Sequence, residues 1–446
     1  LFLAALDFSI NVNLPRFRAD LGETLVSVQL IIILYHGSRS GSGFVVGALA
    51  DHLGVKRPLI TGIVFYSASV GLISLMTTLT PIVLLRIPQG IGVAILFTLA
   101  PALVAKAFGP SNRGSALGVT LASMGAGTFA GTLGGGYLGQ EFGWPTIFWG
   151  RIPIGIALLL ACTFLLKGEF ANPEPRTDRG KFDFNGAVLI FTSLFSLVLA
   201  MSFARVDGWT SPVPVALFAI ALISGAGMAR GLTRGVFTIV PTGLITTRGF
   251  RSGATSNLML TTASFVMWFL FPFYVADVLN RSGFVLGAFL ALMAGSGFVG
   301  STVSGWLADR IGDRLVTVIG SLTTALGLLF AAMPSATPTL GTVALSTVVI
   351  GFGFGIHQAA VYTLSLRNVR SSATGSASAS LTVSQTVGTV LSIAVMTSLL
   401  SWRQDSTSAS FLDAYRFTYF VAAAVALASG LIVVRIGSKT RTQSDS

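Results

Sequence analysis

The chain has 446 residues, 52% of them hydrophobic and only 10% charged, against roughly 25% charged in a soluble globule. With a mean hydropathy of +0.80 this excludes an ordinary soluble domain, and the lone cysteine, Cys162, excludes an internal disulfide. The formal net charge of +12 reads as the basic cytoplasmic loops of a membrane protein rather than as a nucleic-acid surface.

Apolar runs of about 20 residues, each long enough to cross the hydrocarbon, recur from end to end. They are too long and too continuously apolar for barrel strands, so the expected class is an all-α polytopic membrane protein. Fourteen spans are expected: 1–15, 25–50, 58–79, 81–107, 114–138, 147–167, 184–204, 212–230, 253–276, 284–308, 315–334, 340–364, 374–400 and 415–436. The run before Pro15 is short for a span, so part of helix 1 is expected to lie upstream of Leu1. Placing the loop after Asp51 in the cytoplasm puts every lysine and most arginines on that side. Arg16, Arg18, Arg151, Arg205, Arg281, Arg403 and Arg416 then fall on the other, and both termini are cytoplasmic. The polar loop 167–183 closes a first bundle, and the segment 231–252 is expected to lie along the interface. The expected domains are 1–167, a six-helix bundle; 168–252, a linker with two extra helices; 253–436, a second six-helix bundle; and 437–446, a tail.

The chemistry-bearing residues follow in chain order. LDFSINVNLP, residues 6–15, sets Asp7 well inside the first span. An ionisable group there is costly and is a functional candidate by default, here as a proton carrier. Arg39 lies about 18 Å from the cytoplasmic end of helix 2 at 1.5 Å per residue, a depth similar to that of Asp7. It is expected to face a cavity and to pair with Asp7 or with an anionic group of a substrate. GALADHLGVKR, residues 47–57, carries Gly47, Asp51, Gly54, Lys56 and Arg57 between two apolar runs. LLRIPQGIGVAIL, residues 84–96, puts Arg86 and Gln89 three apart, on one helix face. Arg86 does not readily give up its proton, so its role would be to act on a nearby acid. In GAGTFAGTLGGGYLG, residues 125–139, Gly127, Gly131, Gly135 and Gly139 recur every four residues with Gly136 beside them, a smooth stripe for close helix contact. SFVMWFLFPFYV, residues 264–275, offers Phe265, Trp268 and Phe269 as adaptable apolar contacts. GWLADRIGDR, residues 305–314, repeats the earlier charged loop with Asp309, Arg310, Gly312 and Arg314. His357 and Gln385 are polar groups in later spans, candidates for a cavity wall.

The charged loops lie 258 positions apart, Asp51 to Asp309 and Gly54 to Gly312. RGSALG at 113–118 returns as RSSATG at 370–375, and Gly131-Thr132 returns as Gly388-Thr389, both 257 positions on. A steady offset implies two six-helix bundles of parallel topology, with substrate and coupling sites where the halves meet. The three histidines, His36, His52 and His357, have no metal-ligand spacing, so no metal, cofactor or enzymatic chemistry is expected.

In these motifs the chain resembles the major facilitator superfamily, in its fourteen-helix drug:proton antiporter type. The resemblance implies the major facilitator fold of two pseudo-symmetric six-helix bundles plus two extra helices. It implies that the two charged loops form a cytoplasmic latch, that Asp7 and Arg86 couple to protons, and that the helix 5 glycines belong to an antiporter. The expected function is proton-driven export of lipophilic small molecules, with drug and antibiotic resistance as its outcome, by a monomer in the plasma (inner) membrane. Its partners would be the substrate, protons and membrane lipid. With two deep arginines against Asp7, the substrate is expected to be neutral or weakly anionic. The rival expectations are a transporter of one metabolite or lipid and, more distantly, a membrane enzyme or sensor.

Overall fold

The computed structural model describes residues 1–108, 113–166, 183–206, 208–234, 247–333, 339–366, 374–407 and 409–437. The middle of the expected interfacial stretch, 235–246, most of the 167–183 loop, most of the two repeated segments 113–118 and 370–375, and most of the tail fall outside the described residues or side chains. So do the surroundings of Gly47 and the side chain of Asp51.

All described regular structure is helical, in fourteen segments: α1 (2–20), α2 (Leu25–Leu53), α3 (Lys56–Ile73), α4 (Leu79–Phe108), α5 (Arg113–Phe142), α6 (Thr146–Leu165), α7 (Phe184–Val206), α8 (Pro212–Thr233), α9 (Arg248–Val278), α10 (Gly283–Ile311), α11 (Asp313–Ala332), α12 (Leu340–Leu366), α13 (374–407) and α14 (Phe411–Gly437). Among the described residues ten of these, α4 and α6 to α14, are long and apolar enough to cross a membrane. The other four are more polar for a structural reason. α1 and α2 bury Asp7, Asn11, Asn13, Gln29, Ser38, Ser40 and Ser42, α3 opens on Lys56 and Arg57, and α5 is rich in glycine. Polar side chains turned inward lower the mean hydropathy without facing lipid.

The chain divides into two compact units, Leu1–Val240 and Pro241–Ser446. In the first, α7 lies on α2: a Cβ on Gly37 would stand 2.8 Å from Val198, and one on Gly41 would collide with Phe191. The α8 helix packs on α7, where Ser193 Oγ donates to the Ala221 carbonyl at 3.0 Å. In the second unit α9 is the most deeply buried of the ten apolar helices. It begins at Arg248 and runs through Pro272, which has no N–H for the Trp268 carbonyl, into a π-helical turn at Tyr274–Val278.

Each unit repeats the same local devices. On α4, a Cβ at Gly90 would meet α2 and one at Gly92 would meet α3; on α12, 261 positions later, Gly351 meets α10 and Gly353 meets α11 in the same way. The turns into α3 and α11 are made by Gly54 at φ +78° and Gly312 at φ +85°. Lys56 Nζ donates to the Thr163 carbonyl near the end of α6 at 2.8 Å. Arg314, 258 positions on, donates to the Val433 carbonyl near the end of α14 at 3.1 Å and also to that of Val434. Both cations sit at the negative end of a helix, where the last carbonyls have no partner of their own. With ψ of 147° Gly312 occupies a region almost closed to side chains, so Gly312→Ala is expected to cost ~1–3 kcal/mol. Gly305→Ala, in open space on α10, is expected to leave the thermal unfolding midpoint at or above that of the parent chain. Melting curves of the two purified variants check this.

Candidate functional site

The site is built on a local weakness in α1. Between Phe2–Ala5 and Ser9–Asp20 the helix tightens into a 3-10 turn at Leu6–Phe8, with Asp7 at its centre. Asp7 is 7% exposed. Its Oδ1 accepts three hydrogen bonds: from Arg151 Nη1 at 2.5 Å, from Gln89 Nε2 at 3.0 Å and from the Tyr66 hydroxyl at 3.1 Å. Its Oδ2 is buried with no hydrogen-bond partner.

Arg151 does more than balance the charge. Its Nη2 donates to the Leu6 carbonyl at 2.9 Å and also to Ser9 Oγ. One planar guanidinium therefore holds the carboxylate, a carbonyl of the tight turn and a hydroxyl one turn on, a fork that a lysine could not reproduce. Arg151 is 2% exposed, and its guanidinium also lies 5.2 Å from the Phe148 ring centroid. This corrects two expectations. The sequence counted Arg151 only among the arginines of the outer side, and it offered Asp7, or an anionic group of a substrate, as the partner of Arg39. The position is instead the entry to the long stretch of α6, and the fold turns that entry inward onto α1.

Arg86, also 2% exposed, reaches Asp7 through an intermediary. Its Nη1 donates to Gln89 Oε1 at 2.7 Å, and the Gln89 amide donates on to Asp7. Its Nε donates to the Ile31 carbonyl at 2.9 Å, and its guanidinium lies 4.1 Å from the Tyr35 ring centroid. Four helices besides α1 thus converge on the carboxylate environment: α2, α3, α4 and α6. Tyr66 and Arg151 were missed from sequence. Tyr66 had no pattern to mark it. Arg151 did carry a signal, as the single charged residue between Glu141 and Lys167.

The glycine stripe of α5 seats this turn. A Cβ on Gly127 would collide with Phe2, one on Gly131 would stand 2.8 Å from the Leu6 carbonyl, and those on Gly135 and Gly139 would collide with Ser9 and Asn13. Gly136 is buried beside them. Asn13 Nδ2 ties the two helices by donating to the Gly135 carbonyl at 2.9 Å. Helix α1 is pressed against backbone on one side and against Arg151 on another, which fixes where Asp7 points.

The remaining candidates make none of these hydrogen bonds. Arg39 is half-buried, with its guanidinium 4.2 Å from the Phe97 ring centroid. Arg57, Asp309 and Arg310 are exposed, Arg310 lying over Trp306 at 3.9 Å. In the second unit His357 is fully buried, within 3.0 Å of Ser256 Oγ, which donates to the Ser429 carbonyl, so it links α12, α9 and α14. Phe265 and Phe269 are buried; Trp268 and Gln385 are half-buried. The equivalent of the Gly131 contact recurs at Gly388, whose Cβ would stand 2.5 Å from the Leu258 carbonyl of α9. No acid accompanies it: among the described residues the one buried charge of this unit is Asp313. No group of three or more His, Cys, Asp or Glu that could hold a metal occurs among the described residues.

By the family its sequence matches, this polytopic helical chain, with a charged cluster buried among its described helices, is a membrane transporter rather than an enzyme. It belongs to the Major Facilitator Superfamily, whose family model matches residues 1–392 and 253–445. It is 28% identical over 352 residues to the tetracenomycin C resistance and export protein of Streptomyces glaucescens, covering 79% of this chain and 65% of that one. It is 29% identical to the puromycin resistance protein of Streptomyces alboniger, over 87% of this chain and 77% of the relative. It is 25% identical to a riboflavin transporter of Clostridioides difficile, over 98% and 96% of the two chains. The crystal structure of a peptide transporter, POT, shares the fold at a TM-score of 0.72 and 14% identity, over 98% of this chain and 93% of that one.

Proposed function

We propose that this chain is a proton-coupled exporter of lipophilic small molecules that works by alternating access. The observation that carries the reading is Asp7: a carboxylate inside the membrane, held on one oxygen by three donors and left with the other oxygen buried and bare. An unsatisfied buried acceptor costs ~1–3 kcal/mol, and a proton on Oδ2 would convert it into a donor and weaken the ion pair with Arg151 to a hydrogen bond onto a neutral acceptor. Arg151 and Arg86 stay charged throughout. The proton would thus change which contacts of α1 are favourable, and the two access states would differ in those contacts.

The moving parts in this reading are two pseudo-symmetric six-helix bundles, α1–α6 and α9–α14, with α7 and α8 as an added pair. The repeated glycine contacts, the positive-φ glycines and the Lys56 and Arg314 anchors support that arrangement. Asp51 with its loop, and Asp309 and Arg310 with theirs, would form the cytoplasmic latch. In the first bundle Arg39 and Gln89 would serve the substrate, and in the second His357, Gln385, Phe265, Trp268 and Phe269. The chain would act in the plasma membrane, as a monomer and with both termini in the cytoplasm. Export of drug-like compounds is suggested by the names of the Streptomyces relatives.

A second reading is transport of one metabolite, favoured by the riboflavin transporter matched over nearly the whole of both chains. Proteoliposomes with an imposed pH gradient test the coupling. Wild-type protein is expected to move a lipophilic dye several-fold faster with the gradient than without it, and Asp7→Asn to lose that difference. Equal rates in the wild type with and without the gradient would remove proton coupling. A screen in cells lacking their main exporters separates a broad substrate range from a single metabolite.

A further inference from the structure

Arg39 is the central residue of α2, fourteen positions from Leu25 and fourteen from Leu53. At 1.5 Å per residue either end is about 21 Å away, beyond the reach of an arginine stem, so this side chain does not snorkel to an interface. Nor is its backbone free to shift. A Cβ on Gly90 would stand 2.5 Å from the Tyr35 carbonyl and 3.3 Å from the Arg39 nitrogen, which shows how tightly α4 lies against α2 at this level.

The guanidinium is half-buried and has no carboxylate partner among the described residues. Asp7 is already engaged by Arg151, and Arg86 is engaged by Gln89 and the Ile31 carbonyl. The first unit therefore holds three guanidiniums at depth, Arg39, Arg86 and Arg151, and Asp7 is its one buried carboxylate among the described residues. A cation in mid-membrane without a counter-charge is expensive and is tolerated where it meets a water-filled cavity or a ligand. The guanidinium carbon of Arg39 lies over the Phe97 ring, 4.2 Å from its centroid, so the ring can serve as a floor.

We propose that Arg39 is the docking point for an acidic group of the substrate, with Phe97 as the apolar floor beneath it, so that the chain carries lipophilic aromatic acids. The guanidinium fork matches a carboxylate in two parallel hydrogen bonds, and the ring offers an aromatic body its contact area. The proposal deepens the transport reading above and rests on it for its biological meaning. It also separates the two ligands in space, the acid at Arg39 and the proton at Asp7. Electrostatics alone would draw an anion and a proton in together, so an exchanger of acids has to keep them apart by conformational state rather than by competition for one group.

The test is equilibrium binding to the purified full chain of three probes of one shape: 1-naphthoate, neutral 1-naphthamide and cationic 1-naphthylmethylamine. Wild-type protein is expected to favour the acid over the amide by roughly tenfold, the scale of a charge-assisted hydrogen bond. Arg39→Gln is expected to bring that ratio close to one, and Arg39→Lys to leave it in between. A ratio taken within one variant does not depend on how much of the protein is folded, and Arg39→Met replaces Arg39→Gln should the latter fail to fold. A wild-type ratio of one or less, tightest binding of the cation, or an unchanged ratio in the neutral variant each overturns the proposal. No pH gradient enters the measurement, so failure of the proton-coupling reading would show in the proteoliposomes and leave this ratio unmoved.

Discussion

Replacing Arg151 with methionine is expected to destabilise the protein by ~3–5 kcal/mol, the cost of leaving one member of a buried ion pair without its partner. Methionine keeps the unbranched apolar stem but not the reach of the guanidinium, and the loss is not mainly one of packing. It comes from the Asp7 carboxylate, then bonded only by Gln89 and Tyr66, and from the Leu6 carbonyl and Ser9 hydroxyl, which lose their donors. Asp7→Asn alone is expected to cost less, because the amide oxygen still accepts from Arg151. The double variant is the informative one. Once the carboxylate is neutral the missing guanidinium matters less, so more than half of the Arg151→Met loss is expected to return. Unfolding midpoints of the four proteins in one detergent measure this cycle, and coupled groups in contact show interaction energies of ~0.5–3 kcal/mol. Strictly additive losses would mean that Arg151 acts through packing and not through Asp7.

Gly131→Ala is expected to cost ~1–3 kcal/mol, the range for a side chain forced into a filled space. In an exposed helix the same change would gain up to ~1 kcal/mol, since alanine is the better helix former. The clash wins because its partners are backbone atoms: the new Cβ would stand 2.8 Å from the Leu6 oxygen and 2.9 Å from the Leu6 Cα. No rotamer change relieves that, and α1 must slide. Because Leu6 belongs to the turn that carries Asp7, the displacement is expected to lower transport beyond what the fall in stability accounts for. Gly134→Ala is the control, with nothing within 4 Å of its Cβ; it is expected to be neutral or slightly stabilising. Unfolding midpoints and initial transport rates of the two variants separate the outcomes, and equal behaviour of both would mean that the stripe does not seat α1.

Much of this was already written in the chain. Long apolar runs dictate membrane helices because no other element satisfies its backbone in lipid. The 258-position echo of Gly54 in Gly312 announced a repeat before the two turns were seen to share a positive φ. The deep Asp7, the Arg86 and Gln89 pair on one face and the four-residue glycine spacing were legible for the same reason: each depends only on neighbours within a few turns of one helix. The stripe said that something would press on α5; only the fold showed that it was α1.

Partner choice between helices was not legible. Asp7 and Arg151 are 144 positions apart, and nothing local to either distinguishes a buried arginine at a helix entry from one in a loop. Arg39 and Asp7 have similar calculated depths, yet depth fixes one coordinate of three, and the direction in which each side chain leaves its helix decided against that pair. The sequence alone determined which residues are too polar for lipid and must therefore find company. Tertiary packing decided which company, because a hydrogen bond acts over about 3 Å while sequence periodicity carries no information on how two distant helices are turned towards each other.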